Sequence, residues 1–303
     1  MQKPTLGALE WALLLLLGLI WGSSFFFFKI LVEALPPFTV VFGRLAIASA
    51  ALMIVSARSW TALGPRMWAE IALLAAISNV VPFSLIAYGE TRISSGLAAI
   101  LNASTPIFTA LVAHMFMKDE RLSWNKALGV IVCFAGVTVL VGPSAFSERG
   151  QEALPGELAC LGAALVYGFA TVYGRRFRAI PPLQLSTAQS LAAAFLTLPL
   201  MLAFDRPWSL AAPGPTVWAA YAGLGLLCTA LAYLIYFRIL KTAGATNVSL
   251  VTILAPVSAI LLGVLFLGET LEWRNLLGLV IIAAGLVAMD GRLLKRLQPA
   301  AAE

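Results

Sequence analysis

Ten apolar runs, each about the length of a bilayer-spanning helix, follow one another along this chain. A helix that crosses the hydrocarbon core needs about 20 consecutive, mostly apolar residues. The runs therefore predict an all-α integral membrane protein with ten transmembrane helices. No small-residue cleavage site follows the first run, so we expect that run to be retained as a span and not removed as a signal peptide. The runs lie approximately at 8–30, 38–56, 68–88, 94–117, 124–142, 157–175, 183–204, 216–237, 245–267 and 273–290.

The composition supports a membrane location. Hydrophobic residues make up 61% of the 303 residues and charged residues only 11%. A soluble domain carries about 25% charged residues. The formal charge of +6 does not indicate nucleic acid binding, because the basic residues fall in short loops and form no single stripe. Cys133, Cys160 and Cys228 each lie inside an apolar run, where we expect packing residues without a disulfide or metal role.

The distribution of basic residues predicts the orientation. With the N-terminus inside, 14 of the 20 lysines and arginines fall on the cytoplasmic side, five fall on the other side, and Arg44 lies within a span. Cytoplasmic loops carry an excess of Lys and Arg. We therefore expect both termini in the cytoplasm.

The two halves of the sequence resemble each other. WGSSFFFFK at 21–29 matches YGFATVYGR at 167–175 with an offset of 146, and ERLSW at 120–124 matches ETLEW at 269–273 with an offset of 149. Pro106 and Pro256 correspond at an offset of 150. Five spans have therefore been duplicated. Because each unit holds an odd number of spans, the second copy enters the membrane from the opposite side, and the repeats are inverted.

Inverted repeats are a recurrent plan of secondary transporters, in which exchange between the conformations of two similar halves moves the opening from one side to the other. The predicted domains are a first five-helix repeat at 1–145, an external linker at 146–155, a second five-helix repeat at 156–291 and a cytoplasmic tail at 292–303.

The repeated motifs resemble a known family. WGSSFFFFK, LPPFTVVFGR at 35–44, the proline-centred fourth and ninth spans, ERLSW and GETLEW are similar to the EamA family of the drug/metabolite transporter (DMT) superfamily, over nearly the whole chain. The resemblance implies ten helices with both ends cytoplasmic, a cavity between the halves and export of small metabolites, often amino acids. Among subfamilies, the aromatic amino-acid exporters of the YddG type are the leading candidates. Gln189 stands where the first repeat has Arg44, so a role of Arg44 is not duplicated.

Arg44 is the sharpest candidate for a functional residue. A guanidinium within a span costs roughly 2.5–3.5 kcal/mol on insertion scales unless it reaches the interface or finds partners. It either ties neighbouring backbone carbonyls or a serine together, or recognises a substrate carboxylate, for which its planar geometry is suited.

Spans four and nine are the expected cavity walls. Asn102 and Thr105 share a helix face, and Pro106 frees a carbonyl one turn earlier. Thr252 and Pro256 lie at the equivalent depth of span nine. Interrupted helices at matching positions in two halves indicate a midplane site, although prolines also occur in ordinary membrane helices.

Other polar and aromatic side chains complete the predicted site. Gly22, Ser23 and Ser24 predict a patch that another helix backbone can approach closely, while Lys29 reaches the outer interface. We expect Tyr88 and Tyr236 to be interfacial anchors. Pro82, Pro106 and Pro256 are the candidate helix breaks or gating positions. The candidate substrate-binding residues are Trp21, Ser24, Arg44, Asn79, Ser84, Asn102, Thr105, Tyr167, Thr229, Tyr233 and Thr252.

The placement of acids bears on energy coupling. His114, the sole histidine, is either a packing residue or a proton carrier. Proton-coupled carriers commonly use buried acids, whereas the carboxylates here fall at span ends. We therefore expect facilitated diffusion, exchange, or coupling through His114. The end-of-span acids are Glu10, Glu70, Glu90, Glu120, Glu269 and Asp290.

Two other classes compete with a transporter. A membrane-embedded metalloprotease needs paired histidines, and this sequence has a single histidine. The sequence also has no nucleotide-binding glycine loop, so we do not expect ATP hydrolysis. We therefore expect no enzyme activity, cofactor or metal. An assembly or sensor protein remains the second alternative.

The glycines Gly129/Gly136 and Gly278/Gly285 predict close helix packing or a dimer face, with the oligomeric state open. The sequence as a whole predicts a multi-pass, alternating-access secondary transporter that exports small metabolites, most of all amphipathic amino acids, across the cytoplasmic membrane, with a small-molecule substrate and the lipid bilayer as its partners.

Overall fold

The structure is a computed structural model that describes residues 7–117, 122–146, 148–243 and 251–290. Within these ranges the chain folds into helices joined by short connections and forms no strand. Eight helices of this part are long and apolar enough to cross a membrane, and two further apolar helices are shorter, Val251–Leu267 and Trp273–Met289. The eight are Ala8–Ala34, Pro37–Ser59, Pro65–Glu90, Ser95–Phe116, Trp124–Gly142, Gln151–Phe177, Pro182–Asp205 and Pro215–Ala243.

These helices coincide with the ten predicted runs where the structure describes them, and residues 245–250 of the ninth run lie outside the described residues. The all-α membrane fold is therefore confirmed. The α-helical parts of the spans are α1 (Ala8–Ala34), α2 (Pro37–Ser56), α3 (Pro65–Ala75), α4 (Val81–Glu90), α5 (Ser95–Asn102), α6 (Thr105–Phe116), α7 (Trp124–Phe146), α8 (Glu148–Gly174), α9 (Pro182–Leu200), α10 (Pro215–Ala222), α11 (Ala232–Ala243), α12 (Val251–Leu267) and α13 (Trp273–Asp290).

Three of the described spans contain a π-helical segment: Met201–Asp205 ends the seventh span, and the other two segments lie at corresponding places of the two halves. Ala76–Val80 separates α3 from α4 in the third span, and Gly223–Leu231 separates α10 from α11 in the eighth. Pro82, which has no backbone N–H to donate, is the second residue of α4, which begins where the segment Ala76–Val80 ends. Wide helical turns of this kind are rare and occur frequently at functional sites.

The two candidate breaks in spans four and nine differ. The fourth span is interrupted, because α5 ends at Asn102 and α6 begins at Thr105, just before Pro106. In the ninth span, by contrast, α12 continues through Pro256. Pro256 lies in the second turn of the described helix, where its missing N–H removes one backbone hydrogen bond, the one to the carbonyl of Thr252.

Glycines bring the first helix of each half against the other half. A Cβ atom on Gly22 of α1 would overlap the Ser258 side chain and the Ala255 carbonyl oxygen of α12. A Cβ on Gly168 of α8 would lie 2.9 Å from the carbonyl carbon of Phe108 in α6. The expected close helix approach at Gly22 is therefore confirmed, and Gly168 makes the corresponding contact in the other half.

The heptad-spaced glycines lie between α7 and α13. A Cβ on Gly129 would meet Met289 and the Gly285 carbonyl, and a Cβ on Gly278 would meet the Leu140 side chain. Gly136 faces Ile282 in the same interface. Because these glycines pack two helices of one chain against each other, they are not available as a dimer face.

Candidate functional site

A cavity of about 780 Å³ lies between the two halves. This volume falls within the range of about 300–1,000 Å³ that is typical of small-molecule sites. Its walls come from both halves and combine aromatic, apolar and hydrogen-bonding side chains. The polar and aromatic lining residues are Trp21, Ser24, Phe25, Phe28, Arg44, Ser78, Phe83, Asn102, Thr105, Thr109, Lys126, Tyr167, Thr171, Ser186, Gln189, Tyr233, Tyr236, Phe237 and Thr252.

Among the described residues, the cavity lining extends toward one end of the bundle. There it includes Gly174, the last residue of α8, and Lys126, in the first turn of α7. We call this the open end. In the other direction the lining stops at Phe25, Phe28 and Ile86, short of the last turn of α4. We call that other end, where α1 and α4 finish, the closed end.

Arg44 of α2 lies at the inner limit of the cavity and is 6% exposed. Its Nε donates a hydrogen bond to Thr229 Oγ1 at 2.9 Å. The guanidinium carbon lies 3.8 Å from the centre of the Phe83 ring and 5.1 Å from that of Phe28. Neither an acidic partner nor a hydrogen-bond acceptor for its terminal nitrogens occurs in the described part of the chain. The cation is thus held by aromatic faces, which stabilise it by about 0.5–2 kcal/mol, and retains donors for an anion.

An aromatic wall lies along α1 and α11. The ring centres of Trp21 and Tyr236 are 5.5 Å apart, and those of Tyr236 and Phe237 are 5.2 Å apart. Tyr233 lies 6.2 Å from Phe237. The expectation that Tyr236 is an interfacial anchor was wrong, because it lines the cavity. The spacing of three residues between Tyr233 and Tyr236, which places both on one helix face, could have revealed this.

Gln189 of α9 anchors a second polar cluster that the sequence interpretation missed. Its Nε2 donates to Asn79 Oδ1 at 2.8 Å and also contacts Ser78 Oγ. Asn79 in turn donates through Nδ2 to the Tyr233 hydroxyl at 3.5 Å, and Asn79 is fully buried. Gln189 corresponds to Arg44 in the repeat, and that correspondence was the signal that could have identified it as a lining residue.

The interruption between α5 and α6 presents one unsatisfied acceptor to the cavity. The Thr105 hydroxyl donates to the Asn102 carbonyl at 2.7 Å, and the Ser104 hydroxyl donates to the Leu101 carbonyl at 2.6 Å. Carbonyls at the break are therefore occupied by neighbouring hydroxyls. The side-chain oxygen of Asn102 is buried and has no hydrogen-bond partner, so it remains as an acceptor beside the cavity.

Most predicted site residues reach the cavity, and a few do not. The structure brings Trp21, Ser24, Arg44, Asn102, Thr105, Tyr167, Tyr233 and Thr252 together with Pro106 and Pro256. Asn79 and Thr229 lie behind the lining and hold Gln189 and Arg44. Ser84 and Pro82 belong to α4 outside the lining. His114 is exposed at the end of α6, and its Nδ1 accepts a hydrogen bond from the Leu122 N–H at 3.2 Å.

Carboxylates of the second half close the bundle by contacting helix N-termini of the first half. Glu269 accepts hydrogen bonds from the Ser95 N–H at 2.7 Å and the Ser95 hydroxyl at 2.9 Å. Asp205 accepts them from the Thr39 N–H at 2.5 Å and the Thr39 hydroxyl at 2.8 Å. Anions at helix N-termini satisfy free N–H groups and complement the helix dipole. Both contacts stabilise the closed end.

A polytopic helical bundle with a substrate-sized cavity that reaches one end defines a membrane transport protein. The chain belongs to the EamA-like transporter family, whose model matches it twice, over residues 9–142 and 154–289. It is therefore a multi-pass protein of the inner membrane and a transporter of small metabolites.

Three relatives match over most of the chain, and two of them are named as transporters. The uncharacterized inner membrane transporter YedA of Escherichia coli (strain K12) is 28% identical, with 90% of this chain and 88% of YedA covered. The uncharacterized transporter YoaV of Bacillus subtilis (strain 168) is 25% identical, with 88% and 92% covered. Protein PagO of Salmonella typhimurium (strain LT2) is 27% identical, with 90% of each chain covered.

A protein of known crystal structure shares the fold. It superimposes with a TM-score of 0.67 at 20% sequence identity and covers 96% of this chain and 99% of its own.

Proposed function

We propose that this protein is an alternating-access secondary transporter that exports amphipathic amino acids, aromatic ones above all, across the cytoplasmic membrane. The observation that carries the proposal is Arg44, a buried cation without an acidic partner in the described chain, at the inner limit of an aromatic cavity. With both termini in the cytoplasm, the open end faces the cytoplasm, where an exported substrate enters.

The chemistry of the cavity matches the three parts of such a substrate. The terminal nitrogens of Arg44 can bind a carboxylate with two parallel hydrogen bonds. The Asn102 side-chain oxygen, which lacks a partner, can accept a hydrogen bond from an ammonium group. The Trp21 and Tyr236 rings offer faces for an aromatic side chain, since offset or tilted ring pairs are favourable.

Contacts across the halves support alternating access. We place the repeats at 1–145 and 156–291, joined by a linker at 146–155. Arg44 in the second span contacts Thr229 in the eighth, and Gln189 in the seventh contacts Asn79 in the third. Each link thus joins the second span of one half to the third span of the other. Such matched contacts allow one half to move against the other around a shared site.

Flux in liposomes tests the proposal. Purified protein is reconstituted alone, loaded with unlabelled phenylalanine, and assayed for uptake of labelled phenylalanine by counterflow. We expect uptake above that of protein-free liposomes, competition by tryptophan and tyrosine, and no competition by phenethylamine, which lacks the carboxylate. Phenylalanine uptake no faster than in protein-free liposomes, or equal competition by phenethylamine, would contradict the proposal.

A matched pair of variants ties the flux to the site. Arg44→Gln removes the cation from the cavity, whereas Arg92→Gln removes an exposed arginine that lies over the Tyr88 ring outside it. We expect phenylalanine counterflow to fall at least about tenfold in Arg44→Gln, which corresponds to about 1.4 kcal/mol, and to persist in Arg92→Gln.

A further inference from the structure

Glu90 is the last residue of α4, yet its side chain is completely buried. Neither carboxyl oxygen has a hydrogen-bond partner. The sequence analysis grouped Glu90 with the acids that fall at span ends. Its position in the chain is as expected, but the packing of the closed end covers it. The start of α8 lies against it, because a Cβ on neighbouring Gly89 would come within 2.6 Å of Cys160 Sγ and 3.0 Å of the Gly156 carbonyl oxygen.

A lysine beside Glu90 binds backbone carbonyls and not the Glu90 carboxyl. Lys29 of α1 donates from Nζ to the backbone carbonyl of Glu90 at 2.8 Å and to that of Ile93 at 3.2 Å. No ion pair within 4.0 Å joins the Glu90 carboxyl to a basic group in the described ranges. The lysine therefore caps the end of α4 and leaves the carboxyl oxygens without a charged partner.

None of the other ionisable groups around Glu90 donates a hydrogen bond to its carboxyl oxygens either. Arg44 faces it from α2, and Glu269 faces it from the connection between α12 and α13. Glu157 and Cys160 face this region from α8. Arg44 directs its Nε to Thr229, and Glu269 accepts hydrogen bonds from Ser95. An ionised Glu90 carboxylate would therefore be buried in this conformation without a hydrogen-bond donor or an ion-pair partner.

We propose that Glu90 is a proton-binding site that links closure of this end of the transporter to proton uptake. Burial of an ionised carboxylate without a partner costs several kcal/mol, whereas a neutral carboxyl is far less costly to bury. The closed end therefore forms with Glu90 protonated. When this end opens, water reaches the carboxyl, which then releases its proton to that side as the carboxylate.

The proton exchanges with the solution at the closed end and not with the cavity. The cavity lining stops at Ile86, one turn of α4 before Glu90. Protons therefore enter and leave on the same side, and the site regulates the conformational equilibrium without driving transport. Low pH on that side therefore favours the closed state. The proposal rests on the proposed transport function, because it requires this end to open during the transport cycle.

The distance across the closed end measures this linkage. Thr91, before α5, and Thr270, before α13, are both exposed and lie in opposite halves. The double variant Thr91→Cys/Thr270→Cys carries spin labels, while the described native cysteines are buried and unpaired. Electron–electron distances are measured for the full chain in lipid nanodiscs between pH 5 and pH 8.5, without substrate.

We expect one short distance at pH 5 and a growing long-distance population as the pH rises. Once the open state is ionised, release of one proton changes the open-to-closed ratio by about tenfold per pH unit. Glu90→Gln, which mimics the neutral carboxyl, should retain the short distance at every pH. Glu90→Asp, which keeps a titratable group, should retain the pH dependence and serves as a second folded variant.

The matched control is Glu33→Gln, an exposed acid near the end of α1 on the same side of the bundle. Its distances should follow those of the parent protein. A pH-independent distribution in the parent, or a pH dependence that persists in Glu90→Gln, would overturn the proposal. Because the measurement needs no substrate, its failure is distinct from a failure of phenylalanine counterflow.

Discussion

Arg44 and Thr229 are joined by a 2.9 Å hydrogen bond that links the second span of the first half to the eighth span of the chain. The Thr229 hydroxyl also donates to the Leu224 carbonyl at 2.9 Å, inside the π-helical segment Gly223–Leu231. A wide turn of the helix thus positions the hydroxyl that orients the cavity's cation. In the other half Gln189 and Asn79 take the same places, with a neutral amide in place of the cation.

Replacing Arg44 by methionine should separate a functional role from a structural one. Thr229 keeps its hydrogen bond to Leu224, and the buried charge disappears, so we expect the thermal unfolding temperature to stay level or rise. Loss of a hydrogen bond to a charged group costs about 1.5–3 kcal/mol, so substrate affinity should fall about 10- to 100-fold. Thermal unfolding and counterflow are measured on the same preparation, and a large drop in unfolding temperature would instead identify Arg44 as a structural tie.

Substituting Gly22 by alanine should weaken the contact between α1 and α12. The new Cβ would overlap Ser258 and Ala255, and overpacking of this kind costs about 1–3 kcal/mol. Gly162 is a matched control in the interior of α8, because a Cβ there would lie 3.6 Å from Leu85 Cδ1, an ordinary contact. Thermal unfolding should show a lower transition for Gly22→Ala and an unchanged or higher one for Gly162→Ala. Equal transitions in the two variants would show that α1 shifts to accommodate the methyl group.

The helices were predictable from the sequence because the bilayer requires each spanning helix to have a minimum length and an apolar composition. Arg44 was predictable for the same reason, since a charge within an apolar run stands out. The offset of 146 between Gly22 and Gly168 likewise indicated a shared packing role, which both glycines fulfil.

Contacts between distant spans were not predictable in this way. Tyr236 and Gln189 had only indirect signals in the sequence, the spacing from Tyr233 and the correspondence to Arg44. The packing of α1, α9 and α11 is what brings both side chains to the cavity. Glu90 illustrates the same point. Its position at the end of a span indicated a residue near the membrane interface. Its burial comes from α8 and Lys29, which are distant in the sequence and pack beside it.

Glu269→Gln should loosen the closed end. The amide retains one acceptor but loses the negative charge that the N-terminus of α5 favours, a change of about 0.5–1 kcal/mol. The open-to-closed ratio should therefore rise about two- to fivefold in the Thr91/Thr270 distance measurement. Glu272→Gln is the matched control, because Glu272 belongs to the same connection but pairs with Arg274 and not with α5. An equal response of both variants would mean that the Ser95 contact does not hold this end closed.

The orientation of the chain should appear in cysteine labelling of intact cells. Glu33, at the closed end, and Arg66, at the open end, are both exposed. On the predicted topology, 14 of the 20 basic residues lie on the same side of the membrane as the termini and the open end. Because cytoplasmic loops carry an excess of Lys and Arg, we expect the open end to face the cytoplasm. A membrane-impermeant maleimide should therefore label Glu33→Cys in intact cells and Arg66→Cys only after permeabilisation. The described native cysteines are buried and give little background. Labelling of Arg66→Cys in intact cells would place the open end outside, and the cavity would then present a site for uptake where export is proposed.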